Sequence, residues 1–96
     1  MKKVAYFFGG SFDPWHNGHE RTIRDLLAKK DERVILIAPA YNPWKNSGLI
    51  PLKERINILK ELYKNIPQVR VLEEGFTYTV EFLEKYAPNY ELILVM

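Results

Sequence analysis

Apolar and polar positions alternate between two periods along this chain. The run Val4-Ala5-Tyr6-Phe7-Phe8 is continuously apolar, as is Val34-Ile35-Leu36-Ile37-Ala38-Pro39, and such runs mark parallel strands buried on both faces. They predict strands over about Lys3 to Phe8 and Val34 to Pro39, with Pro39 ending the second. Val69 to Leu72 reads as a short third strand and Glu91 to Met96 as a fourth. Between them the period shifts to that of a helix. Ile23, Leu26 and Leu27 give one stripe in a helix from about Gly18 to Lys30, closed by a turn at Asp31-Glu32. Ile56, Leu59 and Leu62-Tyr63 give a second, with Pro51 at its first position and an end near Lys64. Val80, Leu83 and Tyr86-Ala87 give a third, capped by Thr77 or Thr79 and ended by Pro88-Asn89.

The order is therefore βαβαβαβ. Strands alternating with helices predict an α/β fold, a Rossmann-like parallel sheet with helices on both faces and right-handed crossovers. Neither a repeat nor a low-complexity segment interrupts it. The last strand stops on an apolar residue without a polar tail, so the expectation is a single domain over residues 1–96 that forms the N-terminal part of a longer one. The carboxyl end of that strand is expected beside Gly9-Gly10.

The punctuation between first strand and first helix carries most of the chemistry. Phe8-Gly9-Gly10-Ser11-Phe12-Asp13-Pro14-Trp15-His16-Asn17-Gly18-His19 runs from a strand, through a glycine-containing loop, into a helix start with two histidines. Glycines allow close backbone approach and unusual dihedrals. A helix start presents unpaired N–H groups and a partial positive charge, a ready site for phosphate. His16 and His19 add donors able to become cationic near neutral pH. Asn17 is the expected N-cap, with Glu20 three residues on as its capping-box partner. His19 then tops the face formed by Ile23, Leu26 and Leu27. A lone histidine here would read as an ordinary polar residue at a helix start; two histidines bracketing a glycine, after a Gly-Gly loop and a strand, point to a site. Neither G-x-G-x-x-G nor G-x-x-x-x-G-K-[ST] is present.

Two further loops fall at the same sheet edge. Asn42-Pro43-Trp44-Lys45 lies between Ala40 and Ile50, where Lys45 is a mobile cation able to meet a phosphate; alone it would read as a surface lysine. Thr77-Tyr78-Thr79-Val80 opens the third helix with two hydroxyls, although capping alone explains one threonine. Trp15 either covers a ligand or packs against the second strand, and Asp13 supports the loop by hydrogen bonding. One carboxylate there makes no metal site.

Composition narrows the class. The chain has 96 residues, 47% hydrophobic and 14% aromatic, which suits one small packed domain. A net charge of +2 offers no strong attraction to nucleic acid or an anionic membrane. Lys2-Lys3 and Lys29-Lys30-Asp31-Glu32-Arg33 read as solvated surface. The absence of cysteine excludes disulfides, thiolate metal sites and cysteine nucleophiles. There is no signal-peptide pattern and no apolar run long enough to span a bilayer, so a cytoplasmic protein is expected. A homo-oligomer is compatible with the sequence.

His16-Asn17-Gly18-His19 resembles the H-x-G-H signature of the nucleotidylyltransferase superfamily. The longer string Gly9-Gly10-Ser11-Phe12-Asp13-Pro14-x-His16-Asn17-Gly18-His19 looks most like the nicotinate/nicotinamide mononucleotide adenylyltransferases, which join ATP to a pyridine mononucleotide and release pyrophosphate. The resemblance covers the whole chain, with motifs in family order. It implies that Gly9, Gly10, Ser11, Phe12, His16, Gly18 and His19 hold ATP. It also implies that Ser11, Phe12, Lys45 and Thr79 hold the mononucleotide, and that His16, His19 and Lys45 serve catalysis. Magnesium would ride on ATP, with no side-chain metal site. Two departures are a tryptophan, Trp44, where histidine is common in the Pro-x-Lys element, and Thr77 where serine is usual. Arg55 matches an arginine common in the family and reads as a structural or rim residue. The superfamily's second signature, a Ser/Thr-rich helix start with a phosphate-gripping arginine, is absent from these 96 residues. Phosphopantetheine adenylyltransferases, which carry one glycine and a threonine in place of His16, fit less well, as do cytidylyltransferases and class I aminoacyl-tRNA synthetases. A non-catalytic nucleotide-binding module is the rival from another class.

Overall fold

A computed structural model describes residues 2–12, 15–41 and 50–96. Four strands and three helices alternate: β1 Lys3–Gly10, α1 Asn17–Ala28, β2 Val34–Pro39, α2 Leu52–Tyr63, β3 Val69–Val71, α3 Thr79–Tyr86 and β4 Tyr90–Leu94. The strands form one sheet in the order β3-β2-β1-β4, and every pairing is parallel. The expected α/β architecture is thus present. Strand β1 is two residues longer than its apolar run, because Gly9 and Gly10 still pair with Ala38 and Pro39.

Side-chain alternation along β1 and β2 divides the core into two layers. Tyr6, Ile35 and Ile37 point to one face, where they meet Ile23 and Leu26 of α1 and Leu59 and Tyr63 of α2. Ala5, Phe7, Leu36 and Ala38 point to the other, where they meet Phe82 of α3. Continuous apolar runs were needed for this reason: both faces of the central strands are covered. Each large side chain removed from water here contributes about 1.5–3 kcal/mol.

The chain moves outward from β1 through β2 to β3, then crosses back to β4 on the other side of β1. Parallel sheets of this kind bind ligands where the direction of winding reverses, beyond the carboxyl ends of the two central strands. Here that place lies between the ends of β1 and β4. The Val95 N–H donates to the Phe7 carbonyl at 2.9 Å, so the end of β4 does lie beside the Gly9-Gly10 segment.

Three local expectations change. Helix α1 stops at Ala28, and the turn that follows has Lys30 and Glu32 at φ +53° and +59°. Asp31 between them holds the turn: its carboxylate accepts from the Arg33 N–H at 3.1 Å and from the Tyr6 hydroxyl at 2.5 Å. In α3 Leu83 and Tyr86 of the sequence stripe pack on the core, but the fully buried residue is Phe82 and Val80 is 55% exposed, so the apolar face is turned away from Val80. Neither Thr77 nor Thr79 caps α3. Glu81 reaches back instead, accepting from the N–H groups of Tyr78 and Thr77 at 2.9 and 3.1 Å.

Candidate functional site

The start of α1 is capped by the two histidines themselves. His16, not Asn17, is the N-cap: its Nδ1 accepts from the Gly18 N–H at 3.0 Å. His19 returns the bond, its Nδ1 accepting from the His16 N–H at 3.1 Å. Glu20 is released from the expected capping role and pairs with Arg24 at 3.0 Å on the exposed side. The two imidazoles stack with centroids 3.7 Å apart and planes 26° from parallel.

This reciprocal cap sets the tautomers. A nitrogen that accepts a hydrogen bond cannot carry a hydrogen, so in each neutral ring the proton sits on Nε2. Both histidines therefore offer an Nε2–H donor beside the helix start. The rings of Trp15, Phe12 and Phe8 pack around His19, at 4.9, 5.0 and 6.0 Å between centroids. This burial pushes the His19 pKa down from 6.5, and the neighbouring His16 adds to the shift. The shift favours the neutral ring, so His19 becomes cationic less readily than a free imidazole. Trp15 spans from this cluster to Tyr63 of α2, 5.9 Å away, so its neighbours are the loop, β1 and the two helices of that layer.

The glycines serve by their lack of bulk. Neither Gly9 nor Gly10 takes a positive φ. A Cβ on Gly9 would lie 3.0 Å from the Phe7 ring, one on Gly10 3.2 Å from the Phe12 ring, and one on Gly18 2.9 Å from His16 Cε1. The unusual dihedral falls instead on Phe12, at φ +52° and only 3% exposed. A bulky residue in that region costs about 1–3 kcal/mol and needs its surroundings to hold it.

Arg55 supplies part of that hold. It is 7% exposed, a buried cation on α2. Its Nη1 donates to the Ser11 carbonyl at 2.5 Å and to the Ala40 carbonyl at 3.2 Å, and its Nε donates to the Ile50 carbonyl at 2.9 Å. A charged donor on a buried carbonyl contributes about 1.5–3 kcal/mol. Of the two roles expected for Arg55, the structural one is correct and the rim position is not. Direct backbone bonds run alongside: Ala40 N–H to the Gly10 carbonyl at 2.8 Å, and Tyr41 N–H to the Phe76 carbonyl at 3.1 Å. The segments after β1, β2 and β3 are thereby tied in series.

Thr79, the first residue of α3, is exposed and lines a cleft of about 290 Å³ with Gly9, Phe7 and the end of β4. This cleft lies at the reversal point of the sheet. The structure thus brings Gly9 and Thr79 together, and separately groups Phe12, His16, Gly18 and His19, with Ser11 held by Arg55. Lys45, with the rest of Asn42-Pro43-Trp44-Lys45, and Asp13 lie outside the described residues. Among the described residues no helix is long and apolar enough to cross a membrane.

A parallel sheet of order 3-2-1-4, whose first strand passes through a glycine-containing loop into a histidine-capped helix, defines an α/β protein of the Rossmann-like type. The chain belongs to the cytidylyltransferase-like family, whose model matches residues 7–96. It is 40% identical over 72 residues to a probable nicotinate-nucleotide adenylyltransferase of Campylobacter jejuni, covering 74% of this chain and 39% of that protein. A protein of the same description from Sulfurimonas denitrificans is 35% identical over 102 residues, covering 100% of this chain and 56% of its own length. The fold matches that of a Plasmodium falciparum nicotinic acid mononucleotide adenylyltransferase complexed with APC, with a TM-score of 0.63 at 19% identity, over 96% of this chain and 49% of that one. The chain therefore spans about half or less of these relatives.

Proposed function

We propose that the protein to which these residues belong transfers an adenylyl group from ATP to a pyridine mononucleotide, releasing pyrophosphate and forming the dinucleotide of NAD biosynthesis. The observation that carries this reading is the reciprocal His16–His19 cap, which engages both Nδ1 atoms with backbone and leaves the Nε2–H of each ring as its donor beside a helix N-terminus that follows the Gly9–Phe12 segment. The descriptions of the Campylobacter and Sulfurimonas relatives support nicotinate mononucleotide as the acceptor. Residues 1–96 would form the first part of one catalytic domain, acting in the cytoplasm.

The chemistry asks little covalent help of the chain. The acceptor phosphate is ionised at neutral pH and attacks the α-phosphorus in line, so no general base is required. Catalysis is positioning together with stabilisation of charge on the equatorial and leaving oxygens. His16 and His19 would donate to those oxygens. Gly9, Gly10, Ser11, Phe12 and Gly18 would bring backbone close to ATP. Ser11, Phe12, Lys45 and Thr79 would hold the mononucleotide. Magnesium would enter bound to the triphosphate, where it offsets phosphate charge. The donors described here, N–H groups and imidazoles with Nδ1 already engaged, suit an anion. Among the described residues no group of three His, Cys, Asp or Glu side chains could hold the metal in its own site.

The test is pyrophosphate release by the intact protein with magnesium-ATP, offered nicotinate mononucleotide, nicotinamide mononucleotide and phosphopantetheine in parallel. Release with nicotinate mononucleotide is the expected result. Release only with phosphopantetheine would move the protein to another adenylyltransferase class. ATP binding without release for any acceptor would make it a nucleotide-binding module.

A further inference from the structure

We infer that Arg55 is a positioning residue that holds the Ser11–Phe12 peptide in a strained orientation and so aims the Phe12 N–H as a phosphate donor. The inference deepens the adenylyl-transfer reading, and its functional half rests on that reading.

Three observations converge on this one peptide unit. The Ser11 carbonyl is fastened at 2.5 Å to a cation that is itself buried. The residue on the other side of the peptide bond, Phe12, sits at φ +52°. The C=O and N–H of a trans peptide point in opposite directions, so with the carbonyl turned toward α2 the Phe12 N–H is turned away from it. Among the described residues that N–H has no hydrogen-bonded acceptor.

The strain has an obvious release. Turning the Ser11–Phe12 peptide over by half a turn would carry Phe12 from φ +52° to about −130°, out of the positive-φ range that L residues rarely adopt. Only the peptide plane needs to move; the Phe12 ring can stay packed against Phe8, Trp15 and His19. The flip would replace the aimed N–H with a carbonyl oxygen, and an oxygen repels phosphate. The Arg55 bond opposes it, and the guanidinium is fixed in turn by the Ala40 and Ile50 carbonyls. Lysine at this position would keep the charge, but a single ammonium on a flexible stem cannot reproduce the planar fork.

The test is R55M in the intact protein, with R55K beside it. A crystal structure of R55M is expected to show the Ser11 carbonyl turned over and Phe12 at negative φ. Magnesium-ATP affinity, read by titration calorimetry, is expected to fall at least tenfold. Free guanidinium at low millimolar concentration is expected to restore part of it, which a general loss of stability would not allow. R55K is expected to show the same turn with a smaller loss; should R55M fail to fold, R55K carries both measurements. Phe12 remaining at positive φ would overturn the inference. So would a turned peptide with unchanged ATP affinity. A wild-type protein that binds ATP but releases no pyrophosphate would sink the adenylyl-transfer reading alone, because the peptide orientation and the affinity remain measurable.

Discussion

His16 and His19 cap the same helix for each other: each Nδ1 accepts a backbone N–H, from Gly18 and from His16 respectively, while the rings stack at 3.7 Å. Two groups that are usually discussed as chemical participants are also the local architecture of the helix start. Their structural and chemical contributions therefore have to be separated by substitutions that keep one and remove the other.

His19 provides the first such separation, through pH. Burial and the adjacent His16 hold its pKa below 6.5. An NMR titration of the imidazole should report a midpoint below that value, and a midpoint at or above it would contradict the packing described. The sign for stability follows from linkage. As pH falls through 6.5 the unfolded chain takes up the proton before the folded one does, so this residue's contribution is full above 6.5 and is lost as pH falls toward the depressed value. The acid limb of the pH–rate profile should likewise lie below 6.5.

His16 can be divided by side-chain choice. Asparagine is a good N-cap but lacks an imidazole Nε2–H; alanine lacks both. H16A should lower stability by about 1 kcal/mol and also impair turnover. H16N should melt close to wild type while turnover falls by about tenfold to a hundredfold. Full activity in H16N would confine His16 to capping.

Gly18→Ala introduces a methyl group that would sit 2.9 Å from His16 Cε1, so the ring must shift. Alanine is the better helix former by up to about 1 kcal/mol, which offsets the local clash. Thermal stability should change little. Turnover should fall, because the displaced ring is the one that offers the donor. Comparing melting temperature with pyrophosphate release for this variant checks both halves.

Phe82→Ala tests the layer formed by α3 alone. The ring is 1% exposed and meets Phe7 and Phe76 at 5.8 and 4.9 Å between centroids. Its loss should cost about 3–5 kcal/mol in denaturant unfolding. Val80→Ala, two residues earlier and largely exposed, should cost well under 1 kcal/mol, as surface changes do.

The turn before β2 should be acid-sensitive. The Tyr6 hydroxyl, donating to Asp31, holds that carboxyl below its ordinary value of 3.8, assisted by the Arg33 backbone and guanidinium. A carboxyl with a depressed folded value stabilises above its unfolded pKa, and that contribution is lost as pH falls through the folded one. Tyr6→Phe should therefore be less stable than wild type at pH 7, and the difference should shrink as pH falls below the ordinary Asp31 value. A pH-independent gap would assign the effect of Tyr6 to packing.

How far the sequence reaches is clear from these same residues. The central strands were legible because Tyr6 and Phe7, or Ile35 and Leu36, are buried on opposite faces, and only a continuous apolar run permits that. The helix start was legible in place but not in detail. Asn17 has the higher capping preference, and propensity cannot register a cap made by two histidines acting on each other. In α3, eight residues give too few turns for the period to choose between a face on Val80 and one on Phe82. Arg55 could be read only as a structural or rim residue, because the carbonyls it holds at residues 11, 40 and 50 are backbone groups that no side-chain pattern encodes.

That last arrangement bears on how such a protein can change. Arg55 grips the carbonyls of both Ala40 and Ile50, so one guanidinium on α2 joins the backbone after β2 to the backbone that leads into α2. The same guanidinium holds the Ser11 carbonyl, so the backbone after β1 is fastened to those two segments through one side chain. A single substitution at residue 55 therefore loosens three stretches of backbone at once, and selection on any of them falls on one codon.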